Sequence, residues 1–151
     1  MQTVNTPTHY ASHSDASPSG AATGTVALLL RLEGGLVFAA SIVAYWRLDG
    51  NWWLFLLLLL APDISMVGYL RGPRIGALSY NSVHTYLVPA LLAGWAWLFH
   101  AAPLPYLIGA IWCAHIGLDR LLGFGLKYPE GFGFTHLGVL RRHDENASPG
   151  R

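Results

Sequence analysis

The side chains best equipped for chemistry in this sequence are two aspartates and two histidines set in apolar surroundings: Asp63, His84, His115 and Asp119. On helices, Asn81 and His84 (i, i+3) share a face, as do His115 and Asp119 (i, i+4). Imidazole together with carboxylate suits zinc, manganese or iron, according to geometry. His84, His115 and Asp119, completed by Asp63 or His136, would hold a divalent metal such as zinc or manganese and leave a position for water. A metal makes such a water a nucleophile near neutral pH. The expected reaction is hydrolysis of a phosphoester or amide, with Asp63 as ligand or general base. Glu33, Asn81, Arg120 and His136 would contact the ligands or the substrate. The chain contains no HExxH motif.

Three other accounts use the same residues. Asp119 and Arg120 snorkel to an interface, Arg31 pairs with Glu33, and His115 bonds a backbone carbonyl. Alternatively, Asp63, His84 and His115 relay protons or bind an ion in a small carrier. The chain could also be a non-catalytic membrane partner or scaffold.

The elements that must position these groups are apolar. Of 151 residues, 53% are hydrophobic and only 11% charged, and the mean hydropathy is +0.39. A globular domain of this size carries about 25% charge, so its surface must face something other than water. Net charge +1 gives no footprint for nucleic acid, and the single cysteine, Cys113, excludes an internal disulfide. Residues 1–24 and 141–151 read as disordered tails. The N-terminal tail lacks the basic and apolar regions of a signal peptide. Between them, residues 25–140 read as one membrane domain.

Four apolar segments, each near the roughly 20 residues that span a bilayer as a helix, run from about Val26 to Trp46, Trp52 to Leu70, Ile75 to Phe99 and Pro105 to Leu122. They lack the period-two alternation of barrel strands. The expectation is an all-α, four-helix transmembrane bundle with short loops. Eight of the nine basic residues fall on one side of such a bundle, and Arg47 falls on the other. By the positive-inside rule both termini are then cytoplasmic, in the inner membrane. Ionisable groups within spans cost about 2.5–3.5 kcal/mol each and usually face the bundle interior. In this topology Glu33, Asp63, Asn81, His84, His115, Asp119 and Arg120 all lie in the cytoplasmic leaflet. Gly34, Gly35, Gly68, Gly94, Gly109 and Gly117 suit close helix packing. The stretch Gly123–Gly138, with five glycines, is expected to be a cytoplasmic flap that lays Phe124, Phe132 and Phe134 on the interface and carries Thr135 and His136 towards the pocket mouth. It is no nucleotide loop, because Lys127 has no GxxxxGK[ST] around it. Expected partners are the lipid bilayer, a lipid-soluble or phosphorylated small substrate, and a second copy of the chain.

The segments LLRLEG, LLAPDISMVGYLRGPRIGA, YNSVHTY, AHIGLDRLLGFGLKYP and GFTHLG together resemble an uncharacterised bacterial integral-membrane family, domain of unknown function 4260, over about Leu29 to Gly138. The resemblance implies a small four-helix membrane protein and brings no established reaction. A looser similarity, confined to AHIGLDRLLGFGLKYP, is to inner-membrane metal-dependent hydrolases; it implies metal binding by His115 and Asp119. The His-rich first motif of those hydrolases is not reproduced, and YNSVHTY offers only His84.

Overall fold

A computed structural model describes residues 21–139. These residues are predominantly helical. Helix α1 spans Gly24–Arg47, α2 Trp52–Leu59, a 3₁₀ segment Ala61–Arg71, α3 Pro73–Val83, α4 Leu87–Leu98 and α5 Leu104–Leu122. Two short antiparallel strands, β1 (Phe134–Thr135) and β2 (Gly138–Val139), close the loop after α5. The expected N-terminal tail lies outside the described residues up to position 20, and the C-terminal tail lies outside them entirely.

Two of the four expected segments, the first and the fourth, are single helices. The other two are broken, each close to a proline. Proline lacks an N–H and its ring crowds the carbonyl four residues earlier. Pro62 thus conflicts with α-geometry at Leu58, and α2 ends at Leu59 before the tighter 3₁₀ segment. Pro89 conflicts at Thr85, and His84, Thr85 and Tyr86 separate α3 from α4. The break frees the carbonyl of Val83, which accepts a hydrogen bond from the Trp112 indole of α5 at 2.7 Å.

Helix α5 organises the rest. Its first half meets a buried cluster of Tyr45, Phe55, Ile111 and Ala114. Tyr45 lies edge-on to Phe55 at 5.0 Å and donates from its hydroxyl to the Asn51 carbonyl at 2.6 Å. Asn51 in turn caps α2, accepting from the backbone N–H groups of Trp53 and Leu54. The second half of α5 crosses α1 at glycine. A Cβ on Gly34 would lie 2.6 Å from Arg120 Cβ, and one on Gly117 would lie 2.7 Å from the Gly34 carbonyl oxygen. Only hydrogen fits there, which is how small residues bring helix backbones together. Helix α5 ends with Gly123 at φ 93°, Phe124 N–H donating to Asp119 O and Gly123 N–H to Arg120 O, the paired bonds of a Schellman turn.

Little of the apolar surface is covered. Leu36, Trp53, Leu57, Leu70 and Leu78 are each 72–86% exposed. Among the described residues two helical stretches, Gly24–Arg47 and Trp52–Arg71, are long and apolar enough to cross a membrane.

Candidate metal centre

Three separate segments bring four side chains to a common point. Asp63 enters from the start of the 3₁₀ segment, His84 from the break after α3, and His115 and Asp119 from successive turns of α5. One donor atom from each lies within 4.8 Å of the other three. His115 Nε2 is 3.0 Å from His84 Nε2. His84 Nε2 is 3.4 Å from Asp63 Oδ1 and 3.6 Å from Asp119 Oδ2; His115 Nε2 is 3.6 and 3.7 Å from the same two oxygens. A tetrahedron with ligands 2.0–2.1 Å from zinc has edges of about 3.3–3.4 Å, so these five separations bracket the ideal value. Both imidazoles are buried, whereas the Asp119 side chain is 18% and the Asp63 side chain 34% exposed.

The surroundings orient the donors. His84 Nδ1 is 2.9 Å from the Tyr80 carbonyl oxygen. Nδ1 must carry the proton to donate there, which leaves Nε2 of the neutral ring as a lone pair aimed into the cluster. That is how a metal-ligating histidine is normally held. The Tyr80 ring stacks on His84 at 3.6 Å, and its hydroxyl donates to Asp119 Oδ2 at 3.0 Å. Three acceptors, His84 Nε2, Asp63 Oδ1 and Asp119 Oδ2, therefore face one another. Such a lone-pair-rich centre is stable only around a cation or a proton. The donor set fits a divalent metal.

The loop after α5 folds over this end, in a different way from the sequence-based expectation. Asn81 does not enter the cluster. Its side-chain amide clamps the loop, donating to the Lys127 carbonyl at 2.8 Å and accepting from Lys127 N–H at 2.7 Å. The expected approach of Thr135 and His136 to the pocket is replaced by internal bonds. Thr135 Oγ1 donates to the Gly138 carbonyl, and His136 Nδ1 accepts from Leu126 N–H at 2.8 Å. Burial pushes the His136 pKa down, and the Arg120 charge adds to this. Asp63 rather than His136 thus completes the four. Arg120 stacks on Tyr86 at 4.4 Å. Glu33 is exposed on α1 and has no ion pair among the described residues, so the expected Arg31–Glu33 pairing is absent there; Arg31 instead lies against Gly123.

Two participants escaped the sequence reading. Tyr80 could have been found at i−4 from His84, the spacing that stacks side chains on a helix. Lys127 is the only lysine in the chain and is buried. Its Nζ sits 3.7 Å from the Phe132 ring centre and 4.8 Å from that of Tyr80, and it donates to the Phe132 carbonyl. Burial lowers its pKa, while the charges of Asp119 and Asp63 act the other way.

The profile of the family described as a domain of unknown function (DUF4260) matches residues 27–140, which include all four clustered side chains. The chain belongs to this family. No curated protein and no solved structure matches it.

Proposed function

We propose that the protein is a multi-pass inner-membrane hydrolase that binds a divalent metal, zinc or manganese, in the cytoplasmic leaflet. The observation that carries the reading is the convergence of four donor atoms within 4.8 Å on a chain whose apolar faces lie uncovered. The lengths suit four crossings. At 1.5 Å per α-helical residue and about 2.0 Å per 3₁₀ residue, α1 is about 36 Å long, α2 with the 3₁₀ segment about 34 Å, α3 with α4 about 34 Å, and α5 about 28 Å. A hydrocarbon core is about 30 Å thick. The breaks that carry Asp63 and His84 then fall within the membrane, where irregular backbone is tolerated only inside protein or beside a cavity.

Bound there, a divalent ion supplies Lewis acidity and a water that ionises near neutral pH. His84, His115 and Asp119 are the deeper donors. Asp63, the most exposed, stands at the lip on a segment of different pitch. It is suited either to fill the fourth position or to leave it and accept a proton from the attacking water. Tyr80 holds Asp119 and His84 in place, and Lys127 sets a positive charge over Tyr80, on the side where the loop closes.

Metal content decides the matter. Protein purified in detergent should carry about one equivalent of zinc or manganese by elemental analysis, and His115→Ala and Asp119→Ala should carry none. A metal content indifferent to both changes overturns the metal reading. Metal-loaded protein that cleaves no ester, amide or phosphoester overturns the hydrolase and favours the carrier. For topology, reporter fusions in the Arg71–Arg74 loop should report a cytoplasmic location.

A further inference from the structure

Beside the cluster lies a second feature that the hydrolase reading does not use: an apolar cavity of about 260 Å³, open on one side, between the 3₁₀ segment, the end of α3 and α5. Its walls adjoin the cluster in sequence. Pro62 precedes Asp63, Val83 precedes His84, and Ile111 and Trp112 lie one turn before His115. The Trp112 indole N–H is already spent on the Val83 carbonyl, so that wall offers only ring. Leu58 and Ala61 also line it. One polar atom in the lining stands out: Ser65 Oγ is buried and has no hydrogen-bond partner. A buried hydroxyl without a partner is costly, and this one belongs to a residue of the cavity wall.

We propose that this cavity holds a single hydrocarbon chain of an amphiphilic substrate whose cleavable polar end lies at the four-residue cluster. The proposal rests on the hydrolase reading and adds its substrate class, a single-chain acyl ester or amide. The volume matches one chain. A 150 Å³ apolar cavity accepts benzene, so 260 Å³ holds on the order of ten carbon atoms, too few for a two-chain lipid body. The chemistry matches as well, because an apolar lining beside a polar cluster sorts a molecule by its two ends.

Two measurements in lipid nanodiscs test this, one of them independent of catalysis. The first uses a decanoic acid bearing a terminal photoreactive diazirine. It should label the peptides that contain Leu58 and Ile111, decanoate but not acetate should compete, and Ala61→Trp, which fills the cavity, should abolish the labelling. The second compares p-nitrophenyl acetate, hexanoate and decanoate as substrates. At about 0.8 kcal/mol per buried methylene, kcat/KM should rise by up to about fourfold per methylene until the cavity fills. Ala61→Trp should flatten that rise, and the elemental analysis of the variant should still show metal. Labelling spread evenly over the outer leucines, or unchanged in Ala61→Trp, overturns the cavity assignment. So does ester hydrolysis that is independent of chain length. Specific labelling of a protein that holds no metal and cleaves nothing supports the chain site and overturns only the hydrolase.

Discussion

The two halves of α5 serve different ends of the molecule. The first half packs Ile111 and Ala114 against Tyr45 and Phe55, with interlocked rings and a turn capped by Asn51. Its contacts in that cluster are with the apolar side chains of α1 and α2. The second half presents His115 and Asp119 to Asp63 and His84, crosses α1 through bare glycine and meets both of its broken neighbours. Stability is concentrated where side chains interdigitate, and chemistry where helices are interrupted. A regular α-helix satisfies its own backbone and gives each side chain a fixed direction. Breaking it near Pro62 and Pro89 let two side chains from other segments turn towards α5.

This contrast can be broken experimentally, first at its apolar end. Tyr45→Ala should lower stability by about 3–5 kcal/mol, the usual cost of truncating a buried aromatic, read as thermal unfolding in detergent. The folded fraction should bind metal with unchanged affinity; a parallel loss of affinity would show that the two halves are not separable. Next in size, Tyr80→Phe removes the hydroxyl that holds Asp119 while keeping the ring stacked on His84. Metal affinity should fall about 10–100-fold, the usual effect of losing a group that supports a ligand, with little change in unfolding temperature. An unaltered affinity by competitive chelator titration would reduce Tyr80 to a packing residue.

The smallest effect is a pH dependence confined to the loop. Burial sets the folded His136 pKa below its ordinary 6.5, so between the folded value and 6.5 the unfolded chain binds more protons. The stability this group contributes is therefore present above 6.5 and declines as pH falls through that window. Protonation of Nδ1 also removes the acceptor for Leu126 N–H. Hydrogen exchange at Leu126 should quicken between pH 7 and 5.5, beyond the intrinsic change, and the rate in His136→Gln should not follow pH in that way.

Much of the inner end could be read from residues alone. Aspartate and histidine are so costly inside a span that their presence marks an interior face, and i, i+4 spacing joins His115 to Asp119. The choice of fourth member could not be read, since Asp63 and His136 are both compatible with a pocket at that depth; only the fold of the loop decides it. Asn81 shares the helix with His84 as its spacing requires, yet it serves the loop backbone, because hydrogen-bond demand from Lys127 lies outside any helical periodicity. Pro62 and Pro89 were visible as helix-breaking residues. The 3₁₀ run of Ala61–Arg71 was not, because hydropathy does not distinguish helical pitch.

The origin of the cluster in separate segments sets an order on biogenesis. Asp63 and His84 are synthesised well before His115 and Asp119, and the cluster needs both pairs. The site therefore comes into existence only when α5 enters the bundle and its glycine face closes on α1. A chain that ends before His115 would therefore carry Asp63 and His84 without the two α5 side chains that complete the cluster.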